Sequence, residues 1–577
     1  MSSLRKPSLG PIVGHTTHQS CRLWISAANP DTADEKQSED RRTLGLIGIV
    51  KENGKIDVNS ISYFRLHREY SRTGTFNLGA ELGLKKRMRG LAVKALEPET
   101  SYRVRLSTLS LDDAFDNDDD VSDDTLMERL PEPASWEDVF NRVPQAYVEA
   151  NFKTFAESPD DGKPDTAMSF LLGSCRYPGL LWKRKKSDRI FGPMLKNHQG
   201  EVAFALMMGD QIYADVLGRN IPILLADTYA EFQERYTTAF GSKNMREFLR
   251  HIPTYMTLDD HEIEDNWTQD RMKNKEKRVL FNLAIDAYMS YQWSHGPRSW
   301  NNCAPPPEKK RLSATEEALH HPQTALLYYD FLCDGYPFFV LDTRTQRFQD
   351  EQEGLDDNHL LGRPAQHVSE PGQLERFLHW LKAQQDMRGN TPKFIVSASV
   401  FAPNPVRSTR GGYKGGYKNK EASDSWPGFP NTRRAILDFI VENKIENIVF
   451  LSGDVHCGNV CEMTFKDGPT NHLKSYNITS SAFYWPFPFA DGNPSDSVHD
   501  STNPANRDTF ALSEGNGVMD YKAWGFTQAD NYCRINIDPD NYQLDVYLFD
   551  QKGNAIKTGK KNGVFSSAPQ RLKLTPW

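Results

Sequence analysis

Two hydrophobic rhythms divide the chain. From Pro11 to about Thr108, apolar and polar positions alternate over short segments separated by turns: CRLWISA, TLGLIGIV, KIDVNSISYFRL and, after the turn-like LEPET, SYRVRLSTLSL. A period of two predicts half-buried strands, and their number and brevity predict an all-β sandwich, a module that scaffolds. The acidic run DDAFDNDDDVSDD reads as a solvated loop, and PEPASWEDVFNRVPQAYVEA, near 135 to 155, as a helix-like connector. Beyond it come uniform apolar runs, FALMM, TYMTL, YPFFVLD, KFIVSASV, NIVFLSG and SYNITSS, alternating with helical stretches such as DTYAEFQERYTTAF, KNKEKRVLFNLAIDAYMSYQW, PGQLERFLHWLKAQQ and NTRRAILDFIVENK. Continuous apolar runs suit strands covered on both faces, so this region predicts a layered α/β domain. The tail YCRINIDPDNYQLDVYLFDQKGNAI reads as a closing hairpin turned at DPDN. The expected division is a β-sandwich domain of fibronectin or immunoglobulin type over 1–135, a connector over 136–165 and a catalytic domain over 166–577.

Polar residues stand directly after several of the apolar runs. Cys175 ends FLLGSC, Asp210 and Tyr213 end FALMMGDQIY, Asp259, Asp260 and His261 end TYMTLDDHE, and Asp454 and His456 end IVFLSGDVH. Carboxylate, imidazole, phenol and thiol groups gathered at strand ends are the donors of a bimetal hydrolytic centre. Asp210 has two oxygens and can bridge two cations, and Gly209 lets the backbone pass close to a ligand. Tyr213 is either a packed aromatic or a ligand; since a free phenol has a pKa of about 10, a ligand role favours Fe(III) over Mg or Zn. Cys175 is either a buried inert thiol or a ligand that selects a transition metal. Asp454 and His456, at i and i+2 on an extended stretch, are expected to point the same way. His261, held by Glu262 or Asp265, can donate a proton to a leaving alkoxide, while Asp259 orients the loop. Arg344, in LDTR, either grips a phosphoryl oxygen or pairs with Asp342. Lys414 and Lys418, in RSTRGGYKGGYK, belong to a rim that can touch substrate. Cys457 and Cys461 form a lone Cys-x3-Cys pair and read as two buried small residues. No GxSxG elbow or HExxH helix is present in the sequence.

Composition narrows the class. The 577 residues carry 69 Lys and Arg against 77 Asp and Glu, a formal charge of -8, and the basic residues form no long stripe, so nucleic acid is not expected as the main partner. Seven cysteines, an odd and small number, argue against a disulfide framework and for a reducing compartment. MSSLRKPSLG has no apolar h-region, and no uncharged apolar stretch of about 18 residues occurs, so the expectation is a cytoplasmic protein without a transmembrane segment.

The ordered set GSC, GDQIY, LDDHE, LDTR and LSGDVH, with the earlier PIVGHTTHQSCRLW and LEPETSYRVR, resembles the alkaline phosphatase D (PhoD-like) branch of the calcineurin-like metallophosphoesterases. The resemblance runs over roughly residues 11 to 550; Arg176 and Leu258 stand where the family usually has Gln and Trp. It implies a four-layer metallophosphoesterase sandwich, two sheets flanked by helices, behind the β-sandwich. Cys175, Asp210, Tyr213 and His456 would hold Fe(3+), and Asp210, Asp260 and Asp454 would hold Ca(2+), with Zn, Mn or Mg as alternatives. His261 would face the substrate, with Arg344 as a second catalytic residue. The expected activity is hydrolysis of small phosphomonoesters or diesters by metal-activated hydroxide. A phosphodiesterase or phospholipase D-like enzyme with the same metals, or a non-catalytic metal-binding module, are the alternatives.

Overall fold

The structure, a computed structural model, describes residues 3–27, 42–67, 70–84, 93–111, 121–159, 162–179, 184–216, 225–298, 326–349, 358–363, 371–405, 425–470, 473–487, 494–500, 508–556 and 570–574. The N-terminal alternation forms two small antiparallel sheets. Thr43–Val50 pairs with Ser101–Ser110 and with Ser62–Arg65, and Cys21–Ser26 is the middle strand between Leu9–Thr16 and Thr73–Leu78. The connector departs from the helical expectation. A short helix, Glu137–Arg142, gives way to the strand Val148–Lys153, which pairs with Ser101–Ser110. Pro144 disfavours helix at the residue before it, and Val148, Ala150 and Phe152 are buried alternately with more exposed neighbours, the period of a strand.

The uniform apolar runs build two larger sheets. Thr254–Thr257, Phe204–Met208 and Met168–Gly173 are parallel neighbours, and the C-terminal hairpin, Asn531–Ile537 with Leu544–Asp550, adds antiparallel beside Met168–Gly173. In the second sheet Tyr336–Val340, Lys393–Ser397, Ile448–Ser452 and Lys474–Thr479 run parallel, flanked by antiparallel strands. The sheets meet through aromatic rings set edge to face: Phe170 lies 5.4 Å from Phe338 and 5.5 Å from Phe394, and Phe204 lies 5.2 Å from Phe338. Such pairs add about 0.5–1.5 kcal/mol each beyond their buried area.

Helices cover these sheets because their apolar positions recur at three and four residues. Tyr229–Phe240 buries Phe232, Tyr236, Ala239 and Phe240, and its start is fixed by a reciprocal cap between Thr228 and Glu231. Gln373–Arg388 and Pro430–Glu442 pack into the core of the second sheet. The N-terminal strands join the core of the first: Trp24 is buried with it and donates from Nε1 to the carbonyl of Ser290 at 2.8 Å. The whole is an α/β fold of mixed sheets and helices.

Two buried imidazoles tie this packing to pH. Burial, then Arg534, lowers the pKa of His198 to about 4, and burial, then Arg22, lowers that of His295 to about 3. Unfolded, each charges near 6.5. The unfolded chain therefore binds more protons than the fold below that value, and stability falls as pH falls from 6.5 through about 4. We expect thermal melts to show this acid loss of Tm and to show it reduced in His198→Gln, which cannot charge. An equal acid loss in the variant would refute the assignment.

Candidate metal centre

Each candidate side chain is delivered by a loop leaving the C-terminal end of a strand. Met168–Gly173 leads to Cys175, Phe204–Met208 to Asp210, Thr254–Thr257 to Asp260 and His261, and Ile448–Ser452 to Asp454 and His456. The first three strands are parallel neighbours in one sheet and the fourth lies in the other, and their loops converge beyond the carboxyl ends of the strands, the usual place for a site in such a fold.

The loops are sharply turned. Cys175 (φ 55°), Asp210 (φ 56°), Asp454 (φ 68°) and His456 (φ 49°) all adopt the left-handed backbone, uncommon for residues with a side chain and kept only where the surroundings enforce it. Asp454 and His456 are therefore not on the expected extended stretch. The ladder ends at Ser452, and a tight turn follows in which His456 N donates to Asp454 O at 2.8 Å. Two glycines permit the convergence: a Cβ on Gly209 would lie 2.3 Å from that of Asp259, and one on Gly453 would lie 2.6 Å from Ser174 Oγ.

The described residues bring together two donor groups. Ligand atoms of Cys175, Asp210 and His456 lie within 4.8 Å of one another, and so do those of Asp210, Asp260 and His261. Asp210 belongs to both. Its Oδ2 accepts from Cys175 Sγ at 3.3 Å and from Tyr213 Oη at 3.2 Å. Asp454 belongs to neither group, but its main-chain oxygen lies 3.4 Å from Cys175 Sγ and its carboxylate 3.7 Å from Arg344 Nη2.

Electrostatics favour a cation here by the site's own chemistry. Burial, then Asp210, pushes the Cys175 thiol and the Tyr213 phenol well above their ordinary pKa values, so both keep the protons they share with Asp210. Only a strongly acidic cation can displace those protons. Burial, then His261, lowers the His456 pKa to about 3, and Nε2 is buried without a hydrogen-bond partner among the described residues, leaving its lone pair open to a metal. Sulfur, phenol, imidazole and carboxylate suit a transition metal, while the carboxylates of Asp260 and Asp454 suit a hard cation.

Several expected partners are replaced. The Arg344 guanidinium does not pair with Asp342. It is fully buried, in contact with Asp259 and 3.7 Å from both Asp260 and Asp454. The Asp342 carboxylate instead accepts the backbone N–H groups of Arg344 and Thr345, at 3.1 and 2.8 Å. Burial alone would raise the Asp260 pKa; Arg344 and His261 outweigh it and hold the carboxyl well below the usual range. His261 is held neither by Glu262 nor by Asp265. Its Nδ1 lies 2.7 Å from Asp215 Oδ1, and burial, which opposes protonation, is outweighed by Asp215, Asp260 and Asp210, so its pKa lies well above the ordinary value. Glu262 points the other way and accepts from the backbone N–H groups of Asp210, Gln211 and Asp259 at 3.0, 2.7 and 2.9 Å, tying two loops together. Asp215 was available in the sequence as an acid five residues after Asp210; its partner, 46 residues further on, was not. Cys457 and Cys461 are buried free thiols. Lys414 and Lys418 lie outside the described residues.

Comparison with known proteins gives this geometry a context. The family model described as PhoD-like phosphatase matches residues 181–545. Alkaline phosphatase D of Bacillus subtilis (strain 168) is 25% identical over 245 residues, 40% of this chain, and the match spans 35% of that relative's length. A solved structure described as "Structure of PhoD" superposes with a TM-score of 0.57 at 16% identity, covering 96% of this chain and 93% of that one, which shows a shared fold. With well over half of its length matched by the family model, and with donors from four strand ends meeting at one carboxylate, the chain belongs to the PhoD-like phosphatase family.

Proposed function

We propose that this protein is a metal-dependent phosphoester hydrolase acting on small phosphomonoesters or diesters. One observation carries the reading: the carboxylate of Asp210 is shared by two donor groups, one of which includes His261, itself paired with Asp215. Cys175, Asp210, Tyr213 and His456 would hold Fe(3+), and Asp210, Asp260 and Asp454 would hold Ca(2+), with Zn, Mn or Mg as alternatives. When bound, the cations supply Lewis acidity toward phosphoryl oxygens and a hydroxide nucleophile near neutral pH.

The chain's own residues do the rest. Asp215 occupies Nδ1 of His261, so Nε2 is the nitrogen left to give a proton to the departing alkoxide. Arg344, buried against Asp259, Asp260 and Asp454, balances their charge and fixes their orientation. In this reading it is a positioning residue for those carboxylates. Glu262 holds the Asp210 and Asp260 loops in register through three backbone N–H groups.

In the same reading, the two larger sheets with their helices are the four-layer catalytic unit. The strands through Lys153 are a scaffolding β-sandwich, extended past the expected boundary by Val148–Lys153. A soluble, cytoplasmic enzyme is the corresponding expectation for location; no helix among the described residues is long and apolar enough to cross a membrane.

Elemental analysis of the purified protein, followed by a panel of mono- and diesters with cation content controlled, tests the function. Failure of the metal-loaded protein to hydrolyse any ester would sink it. If iron sits on Tyr213, the protein shows a visible phenolate-to-iron charge-transfer band that Tyr213→Phe abolishes; a band unchanged in that variant would remove the phenol from the ligand set.

A further inference from the structure

One flank of the centre is aromatic, and the hydrolytic chemistry does not require it to be. Trp485 lies flat on the His456 imidazole, centroids 3.6 Å apart at an interplanar angle of 18°. Tyr177 meets Trp485 edge-on at 5.2 Å and Tyr213 edge-on at 5.2 Å. Phe487 completes the set, 5.7 Å from Tyr177 and 5.2 Å from Trp485. Exposure rises along this series: Tyr177 and Tyr213 are buried, Trp485 is half-buried, and Phe487 is 41% exposed. The rings thus form a continuous wall from the metal donors to solvent.

The wall is anchored to the centre. Tyr177 N donates to Tyr484 O at 3.1 Å, Tyr484 N to Cys175 O at 3.3 Å, and Trp485 N to Asp530 Oδ1 at 3.1 Å. The Tyr177 hydroxyl is buried and finds no hydrogen-bond partner among the described residues. Half-buried Trp485 and exposed Phe487, backed by the buried Tyr177 ring, form a ready surface for a flat ligand. Rings lose few rotamers on binding and offer both face and edge.

Resting on the hydrolase reading above, we propose that Trp485 and Phe487, with Tyr177 packed behind them, form a leaving-group subsite for a planar aromatic group, either a nucleobase or a simple aryl ring. The phosphoryl group lies at the shared carboxylate, and the group released on ester cleavage lies along the wall. A leaving group without a ring gains nothing from stacking there.

Two matched pairs test this on the metal-loaded, full-length protein. A nucleoside 5′-monophosphate and ribose 5-phosphate release the same kind of alkoxide and differ only in the base; 2-naphthyl and phenyl phosphate differ only in ring area. Each is used as monoester and as methyl diester. In Phe487→Ala the preference in kcat/KM for the larger partner of a pair falls about fivefold or more, the scale of one lost stacking contact. Met387→Ala, which removes a distant exposed side chain, keeps the preference of the parent protein. A fall in the nucleoside pair identifies a base as the occupant, and a fall in the naphthyl pair alone identifies an aryl group. Preference unchanged in both pairs overturns the subsite. The binding of 2-naphthylphosphonate relative to methylphosphonate, measured by calorimetry, is read in parallel. If no ester is hydrolysed yet Phe487→Ala still erases the naphthyl preference in binding, the subsite stands and the hydrolase reading falls.

Discussion

In Asp210→Asn we expect neither cation to remain at full occupancy and kcat/KM toward phosphoesters to fall about 10³-fold or more, the scale of losing electrostatic stabilisation at a transferring phosphoryl group. The Asp210 carboxylate is common to both donor groups and is the acceptor for the Cys175 thiol and the Tyr213 phenol. An amide there removes one negative charge and points either a donor or a neutral oxygen at each position. The substitution is also gentle to the fold. Asp210 sits at φ 56°, a region that Asn tolerates better than most residues with a side chain, and the two side chains match in shape. Elemental analysis and a thermal melt of the same sample separate chemical from structural loss. One full equivalent of metal together with retained turnover would show that the centre is not built around this residue.

The second large effect concerns proton delivery. His261→Ala should keep its metals and lose about 10²–10⁴-fold in kcat, the usual contribution of a positioned acid. Asp215→Asn should keep both the metals and the imidazole but change the pH profile. Asp215 is the first of the carboxylates that raise the His261 pKa against the opposing effect of burial. The protonated imidazole is the donor, so activity declines as pH rises through its pKa. Without Asp215 that pKa is lower, and the declining limb moves to lower pH. Because parent and variant carry the same cations, the difference isolates Asp215. A limb that does not move, or metal lost from His261→Ala, would reassign His261 from proton donor to ligand or to structure.

Much of the fold was legible because burial leaves a periodic trace. FALMM, TYMTL, KFIVSASV and NIVFLSG are continuous apolar runs, and each contains a parallel strand. The donors were legible for a related reason: a polar residue abruptly following such a run must sit at a strand end. What lay beyond local pattern depended on contacts. Asp215 is not legible because its partner His261 comes from another loop, nor is Trp485, because nothing in SAFYWPFPF indicates that the indole will lie on His456. The strand Val148–Lys153 was hidden by helical signals just ahead of it, although Val148, Ala150 and Phe152 carry its period. The left-handed residues Asp454 and His456 are not themselves glycines, and their turn follows from where the ladder with Ser397 and Thr479 stops.

The placement of Met168–Gly173 between Phe204–Met208 and Asn531–Ile537 bears on when the candidate centre can form. The strand that presents Cys175 gains its second neighbour only from the far end of the polypeptide, and Cys175 meets Asp454 across 279 residues. A chain emerging from the ribosome offers scattered acids and thiols, with no pocket to discriminate among cations. Any loading therefore waits on the folded molecule, in which the assembled donors can discriminate among the cations around them.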